Sequence, residues 1–325
     1  MNNTTPLPLV IVSHQLPEAW LAKLHGRCRI ITGPPTTVEA GLSADLRTLL
    51  PQADGLFSLL TVRVDEALLA QAPRLRVVSN MAVGVDNIDL AACSRHGIPV
   101  GHTPGVLTDG TADLTLALLL AVARQLPTAA ADAQAGKWTT WLPTGWLGAD
   151  LQGATLGIVG LGKIGQAVAR RAQGFGLRLL YSGPHEKAEA ADLGATYVPL
   201  ETLLCESDFV SLHAPLTTET RHLINAQTLR LMRPSAILIN MARGPLVDTA
   251  ALVDALQNGV IAAAGLDVTD PEPLPPSHPL YSLPNCLVVP HIGSATQHTR
   301  RRMAELACEN LLAGLEGRPL PHQAN

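Results

Sequence analysis

A chain of 325 residues is long enough for two domains of ordinary size, each with its own core. Apolar residues make up 47% of it but aromatic residues only 3%, so aliphatic side chains must build the cores, as they do where helices cover parallel strands. The net charge of -4, without a long run of one sign, argues against nucleic acid and anionic membranes as partners.

Cysteine usage and the amino terminus both indicate a cytoplasmic protein. The five cysteines are scattered and form no C-x-x-C pair, so neither a zinc site nor a disulfide framework is expected. The first residues, MNNTTP, lack the positive region and the apolar stretch of a signal peptide, and the apolar residues 116–122 are too few to span a bilayer. We therefore expect no metal and no membrane partner.

In the first hundred residues, short apolar runs alternate with helical patterns. Strands are predicted at residues 9–12, 53–60, 75–79 and 98–100, and a helix is predicted at residues 18–24. Alternation at this spacing is typical of βαβ units with a parallel sheet. A long helix is then predicted at residues 109–124.

Three of the four tryptophans follow that helix in an irregular stretch. Trp138, Trp141 and Trp146 lie among Thr, Pro and Gly between residues 137 and 148. Tryptophan rings in a segment without regular structure more often mark a contact between domains or subunits than a core. We interpret this stretch as an interface.

A second series of strands and helices begins at residue 155. Strands are predicted at residues 155–159, 178–181, 196–199, 209–212, 236–240, 263–267 and 287–289, and helices at residues 164–173, 249–257 and 296–313. The whole pattern predicts an α/β protein with two doubly wound parallel-sheet domains.

Gly160, Gly162 and Gly165 form a G-x-G-x-x-G sequence that ends a predicted strand and opens a predicted helix. In that context the first glycine permits a tight turn, the second lets a pyrophosphate approach the backbone, and the third lets helix and strand pack closely. The helix then offers free N–H groups to the phosphates. The motif predicts a dinucleotide site.

The end of the second strand indicates which dinucleotide is bound. An acidic residue about 20 residues after the glycines would hydrogen-bond the ribose 2′-hydroxyl of NAD. This chain has Ser182 and Gly183 there instead, followed by His185 and Lys187, which could contact a 2′-phosphate. We predict NADP(H) as the preferred cofactor. NAD(H) is the alternative, because Glu186 is nearby and no arginine stands in the expected place after the strand.

Arg243, Glu272 and His291 suit the reduction of a 2-oxo acid. Arg243 and His291 each follow a predicted strand, where ligands bind in open α/β sheets. The guanidinium can clamp a carboxylate, and the imidazole can give a proton to an alkoxide. Glu272, between two prolines, could orient the imidazole, although a solvated glutamate in a proline-rich loop is the alternative.

The chain resembles the D-isomer-specific 2-hydroxyacid dehydrogenases across essentially its full length. The matching segments are residues 83–86, 160–165, 213–217, 240–244, 267–273 and 290–294. Within that family it is most similar to the glyoxylate/hydroxypyruvate reductases, through residues 138–141, 265–269 and 290–299.

The resemblance implies two Rossmann-like domains with the active site in the cleft between them, and a homodimer. Residues 1–103 and 293–325 would form a discontinuous substrate-binding domain, and residues 104–292 would form the dinucleotide-binding domain. Arg243 would bind the substrate, His291 would act as acid/base, and Glu272 would pair with it.

Further contacts follow from the same resemblance. The backbone at Val83 and Gly84 would hold the substrate carboxylate, Leu59 and Ser294 would complete the substrate contacts, and Asp267 would meet the nicotinamide amide. The candidate cofactor contacts are Gly160, Gly162, Lys163, Ile164, Gly165, Ser182, Gly183, His185, Lys187, His213, Pro215, Met241, Asp267 and Gly293.

The substrate is expected to be small. Apolar Leu59 and Leu60 stand where relatives that act on phosphoglycerate carry an arginine, and they would leave a phosphate unpaired. NADPH-dependent reduction of glyoxylate to glycolate and of hydroxypyruvate to D-glycerate is the leading hypothesis. The alternatives are a reductase of 2-ketogluconate or pyruvate, and a dinucleotide-sensing binding protein similar to the co-repressors that share this fold.

Overall fold

A computed structural model describes residues 6–35 and 41–325. The prediction that the chain has no signal peptide rests mainly on residues 1–5, which lie outside the described residues. The chain divides into two compact units. The first comprises the described part of Met1–Leu107 together with Thr296–Asn325, and the second comprises Thr108–Ala295.

The described residues contain twelve strands and ten α-helices. The strands are β1 Leu9–Val12, β2 Arg29–Thr32, β3 Gly55–Ser58, β4 Val77–Asn80, β5 Val100–Gly101, β6 Thr155–Val159, β7 Arg178–Ser182, β8 Ala195–Tyr197, β9 Phe209–Leu212, β10 Ile237–Asn240, β11 Ala263–Leu266 and β12 Cys286–Val288. The helices are α1 Ala44–Leu49, α2 Glu66–Gln71, α3 Leu90–Arg95, α4 Thr108–Ala123, α5 Leu126–Gln134, α6 Lys163–Ala172, α7 Leu200–Glu206, α8 Ala226–Leu229, α9 Thr249–Gln257 and α10 Gln297–Leu315.

The first unit is built on a parallel sheet with the strand order β2-β1-β3-β4-β5. The long helix α10, which lies near the carboxyl end of the chain, packs on β3 and β4 of this sheet. Its approach is close, because a Cβ added at Gly314 would lie 2.6 Å from the side chain of Val77. The carboxyl-terminal helix is therefore part of the first unit's core.

The second unit is a seven-stranded parallel sheet with the order β12-β11-β10-β9-β6-β7-β8. Its strands are buried on both faces: Ile237 and Ile239 belong to one apolar cluster, and Leu238 belongs to the other. The chain order reverses between β6 and β9, and ligands of open α/β sheets bind beyond the carboxyl ends of the strands at such a switch point.

Most predicted elements are confirmed, and those at residues 9–12, 155–159, 209–212 and 249–257 have the predicted bounds. The helix predicted at residues 18–24 is wrong: this stretch forms two short 3-10 segments, Glu18–Trp20 and Ala22–Leu24. Neither segment has a side-chain cap, and seven residues are too few to stabilise an uncapped helix.

Strand β2 was not predicted. Its residues, RIIT, are exposed at both ends and only partly buried in the middle, as expected for the edge of a sheet.

In the described part of the chain, no single helix is both long and apolar enough to cross a membrane. Helices α4 and α5 meet that criterion only when taken together, and the chain bends by 59° between them.

Candidate active site

The glycine turn between β6 and α6 requires glycine at two of its three positions. Gly160 has a φ of 96°, and a Cβ there would lie 2.7 Å from the backbone nitrogen of Ala214, in the loop after β9. A Cβ at Gly165 would lie 2.2 Å from the carbonyl oxygen of Gly160. The turn therefore lies at the switch point between β6 and β9, with the helix in close contact with it.

The start of α6 leaves room for a ligand. Gly162 is the N-cap residue, provides no side-chain cap, and a Cβ added to it would meet nothing within 4 Å. The first N–H groups of α6, which begins with Lys163 and Ile164, carry the positive end of the helix dipole. These features fit a dinucleotide pyrophosphate.

The end of β7 lies beside this turn, because the Gly160 N–H donates to the Ser182 carbonyl over 2.8 Å. Ser182 is buried, whereas Gly183 is half-buried and His185 is exposed. Nζ of Lys187 lies 2.9 Å from Nε2 of His185. The four candidate ribose-reading residues therefore belong to one short segment. It contains a cation, an imidazole and the exposed carboxylate of Glu186, but the strand end itself has no carboxylate.

Asp267, directly after β11, holds the loop that carries His291. Its two carboxylate oxygens accept the backbone N–H groups of Ile292 (2.6 Å) and Gly293 (2.9 Å), and its carbonyl oxygen accepts the N–H of His291 (2.9 Å). Burial raises the pKa of Asp267, while the two N–H bonds oppose that rise. Both carboxylate oxygens thus already have a backbone partner, so Asp267 is a structural anchor whatever it does for the nicotinamide.

Arg243 follows β10 in a turn fixed by its neighbours. Asn240 accepts the N–H of Ala242 and donates to the Arg243 carbonyl over 2.9 Å. The next residue, Gly244, leaves no space for a side chain, because a Cβ there would lie 1.9 Å from the carbonyl oxygen of Thr269. The arginine turn is therefore packed against the loop that contains Glu272.

The side chains of Glu272 and His291 are hydrogen-bonded to each other. Oε1 of Glu272 lies 2.5 Å from Nδ1 of His291, and the two side chains are 32% and 28% exposed. Oε2 of Glu272 accepts the N–H of Thr269 over 3.3 Å, so the carboxylate is itself held. Glu272 is thus paired rather than free in solvent. Since Nδ1 faces the carboxylate, Nε2 is the nitrogen left for a substrate, and it has no hydrogen-bond partner within residues 6–35 and 41–325.

The backbone of His291 is unusual, because its φ of 52° lies in the left-handed region. Non-glycine residues adopt this conformation at a cost and keep it where the surroundings impose it, often at functional sites. The N–H of His291 donates to the carbonyl oxygens of Asp267 (2.9 Å) and Val289 (3.0 Å).

His213, after β9, is neutral. Burial lowers its pKa to about 4, and Nε2 lies 2.8 Å from the hydroxyl of Ser211. Nδ1 is buried and has no partner in the part of the chain that the structure describes. His213 lies against the glycine turn, because a Cβ at Gly160 would be 2.8 Å from its carbonyl carbon.

The remaining candidates of the second unit lie at the same edge of the sheet, beyond the carboxyl ends of the strands. Met241 is buried after β10, Pro215 is in the loop after β9, and Gly293 and Ser294 follow His291. Gly293 is also held through its carbonyl, which accepts the hydroxyl of Thr111 over 3.3 Å.

In the first unit, Leu59 follows β3, and Val83 and Gly84 follow the neighbouring strand β4. The Val83 carbonyl lies 2.9 Å from Nδ1 of His102, and the Gly84 carbonyl accepts the side-chain amide of Asn80 over 3.0 Å. Both loops therefore leave the same edge of the five-stranded sheet.

The sequence analysis missed two asparagines that hold these loops. Asn80, fully buried, accepts the hydroxyl of Ser58 and donates to Gly84 and to Asn87. Asn87 donates in turn to the carbonyls of Leu59 (3.3 Å) and Val62 (2.8 Å). The signal was present, because Asn80 ends an apolar run where a side-chain amide would be buried.

Comparison with known proteins identifies the family. Residues 116–293 match the family described as D-isomer specific 2-hydroxyacid dehydrogenase, NAD binding domain. A glyoxylate reductase of Thermococcus litoralis is 47% identical over 324 residues, which cover 98% of this chain and 97% of that protein.

The chain belongs to the D-isomer-specific 2-hydroxyacid dehydrogenase family. It is an NAD(P)-dependent dehydrogenase.

Solved structures of relatives have the same fold as this dehydrogenase. A protein of Thermus thermophilus is 50% identical with a TM-score of 0.91, and the match covers 98% of this chain and all (100%) of that one. Another solved relative is an NADPH-dependent glyoxylate/hydroxypyruvate reductase of Sinorhizobium meliloti, in complex with NADP and malonate. It is 34% identical with a TM-score of 0.85, and the match covers 98% of this chain and 96% of that one. The nicotinamide dinucleotide required by the family fits the open glycine turn before α6.

Proposed function

We propose that this dehydrogenase reduces glyoxylate to glycolate and hydroxypyruvate to D-glycerate, with NADPH as the preferred reductant. The observation that carries the proposal is the contact between His291 and Glu272, next to the fixed turn of Arg243. The glyoxylate reductase of Thermococcus litoralis and the NADPH-dependent reductase of Sinorhizobium meliloti, both similar to this chain, support the choice of substrate and cofactor.

His291 gives the proton that completes the reduction. A nicotinamide bound beyond the glycine turn would supply hydride to the carbonyl carbon. Nε2 of His291 donates its proton to the carbonyl oxygen, which becomes the hydroxyl of the product. Glu272 accepts the Nδ1–H group, so it orients the ring and stabilises the positive charge that the imidazole carries before the transfer.

Arg243 binds the carboxylate and polarises the carbonyl of the 2-oxo acid, because a planar guanidinium can donate two parallel hydrogen bonds to an anion. We assign substrate binding in the first unit to the backbone at Val83 and Gly84. Apolar Leu59 and Leu60 favour a small uncharged substituent, such as the hydrogen of glyoxylate or the hydroxymethyl group of hydroxypyruvate.

The preference for NADPH rests on the segment after β7. The strand ends at Ser182 and Gly183 follows it, without the carboxylate that would repel a 2′-phosphate. Lys187 and His185 contact each other there and supply a cation and a hydrogen-bond donor for an anionic group. We therefore expect the 2′-phosphate to gain contacts that the 2′-hydroxyl of NADH cannot make.

We also propose that the enzyme is a homodimer whose contact includes residues 137–148. Trp138 and Trp141 are 67% and 80% exposed, and Leu147 beside them is 65% exposed. Apolar side chains of this size, grouped in one segment, mark surfaces that another protein covers. A cytoplasmic location fits the five free thiols, since disulfides are rare in that compartment.

The roles are tested by substitution and steady-state kinetics. His291→Ala should lower kcat by roughly 10²- to 10⁴-fold and leave NADPH binding, measured by fluorescence titration, unchanged. Arg243→Ala should damage both kcat and the KM of the 2-oxo acid. His25→Ala, which removes an exposed imidazole from the other unit, is the matched control. Near-normal turnover by His291→Ala would refute the acid/base assignment.

A further inference from the structure

Two tyrosine hydroxyls hold the segment of residues 183–187, here called the ribose loop. The Lys187 N–H donates to the hydroxyl oxygen of Tyr181 over 2.8 Å, and the Tyr197 hydroxyl donates to the Gly183 carbonyl over 3.1 Å. The two bonds lie near opposite ends of the loop, whose Lys187 and His185 side chains contact each other.

The tyrosines form a single unit within the sheet. They are direct cross-strand partners on β7 and β8, and their ring centroids lie 5.4 Å apart at an interplanar angle of 56°. Tyr181 is only 2% exposed and packs in an apolar cluster of the second unit, while Tyr197 packs against that cluster. Phenylalanine would fill the same space, so what tyrosine adds at each position is the bond from its hydroxyl to the loop.

We propose that Tyr181 and Tyr197 are positioning residues that set the cofactor preference of this dehydrogenase. They hold the ribose loop in the conformation in which Lys187 and His185 receive the 2′-phosphate. This inference rests on the proposed preference for NADPH. The tyrosines act through the loop and touch neither the substrate nor the reacting atoms.

The physical argument concerns the order of the loop. Without the Tyr181 hydroxyl, a partly buried backbone N–H loses its acceptor and the loop gains conformations that must be given up on binding. Binding of NADPH includes the cost of ordering the loop, because the 2′-phosphate contacts the loop. NADH has no 2′-phosphate, so its binding does not include this cost. Loss of either hydroxyl should therefore weaken NADPH binding alone.

The test uses Tyr181→Phe, Tyr197→Phe and the double variant in the complete enzyme. Each single change should raise the KM of NADPH about 3- to 10-fold, while kcat and the KM of NADH stay within about twofold. Tyr281→Phe removes a hydroxyl from an exposed ring elsewhere in the same unit and should change neither constant. Thermal melting of each variant reports folding independently.

A binding measurement separates the loop effect from catalysis. Calorimetry with adenosine 2′,5′-bisphosphate should show weaker binding to both variants, whereas binding of 5′-AMP should be unchanged. In the background of Lys187→Ala, adding Tyr181→Phe should cause little further loss, because the two changes affect the same contact. If the losses of binding affinity from Lys187→Ala and Tyr181→Phe were additive, the tyrosines would only support the fold. The same would follow if the affinities for adenosine 2′,5′-bisphosphate and 5′-AMP fell equally.

The two proposals fail differently. A wild-type enzyme that prefers NADH would refute the NADPH preference, and the tyrosine proposal with it. A wild-type preference for NADPH that survives in both phenylalanine variants would refute the tyrosine proposal alone.

Discussion

Replacing the buried His213 with glutamine should change how the stability of the second unit depends on pH. Burial lowers the pKa of His213 from 6.5 to about 4 in the folded protein. The unfolded chain therefore binds a proton between pH 6.5 and pH 4 that the folded chain does not. The free energy of unfolding must fall as the pH falls through this window, and the full contribution is present above pH 6.5.

The size of the effect follows from the shift. A difference of about 2.5 pKa units corresponds to about 3 kcal/mol at 1.36 kcal/mol per unit, reached only below pH 4. At pH 5 the same two pKa values give a loss of about 2 kcal/mol relative to pH 7.5. His213→Gln cannot take up this proton, so its stability should lose about 2 kcal/mol less than that of the wild type between these two pH values.

The assay is urea unfolding of the enzyme without cofactor at pH 7.5 and pH 5, followed by far-UV circular dichroism. His25→Gln, which replaces an exposed histidine in the first unit, should unfold with the same pH dependence as the wild type. An equal difference between wild type and His213→Gln at both pH values would refute the reasoning.

Three further predictions follow from contacts in the two units. Asn80→Ala leaves buried polar partners unpaired and should lower the free energy of unfolding by about 2–4 kcal/mol. It should also raise the KM of the 2-oxo acid but not that of NADPH. An unchanged urea midpoint would contradict this prediction. Gly244→Ala places a Cβ 1.9 Å from a carbonyl oxygen and should lower kcat/KM by about 100-fold, whereas Gly174→Ala enters open space and should be neutral. Replacing Trp138 and Trp141 with serine should shift the enzyme toward monomers in sedimentation experiments, and a variant that remained fully dimeric would exclude this segment from the interface.

Much of the fold could be predicted because its strands are short apolar runs between helical patterns. Strand β6 and helix α9 were predicted with correct bounds, since a strand buried on both faces and a helix capped by Asp248 leave clear signals. Strand β2 was missed because Ile30 and Ile31, its two apolar residues, form too short an apolar run to indicate a strand. The segment at residues 18–24 was misassigned because an apolar pattern over two turns does not distinguish an α-helix from 3-10 segments.

The candidate site could be predicted as a set of residues but not as a geometry. The positions of Arg243 and His291 after strands placed them at one edge of the sheet. The anchoring of the His291 loop by Asp267, and the close contact between Gly244 and Thr269, depend on which loops become neighbours. That information arises only when the chain has folded, as does the pairing of Tyr181 with Tyr197 across two strands.

The most direct test of the proposed function is the oxidation of NADPH or NADH by the wild-type enzyme with each of four acids: glyoxylate, hydroxypyruvate, pyruvate and 2-ketogluconate. We predict the highest kcat/KM for glyoxylate and hydroxypyruvate with NADPH. Higher kcat/KM values with pyruvate or 2-ketogluconate would contradict the proposed pocket. Cofactor binding without turnover of any of the four acids would contradict the proposed substrates altogether.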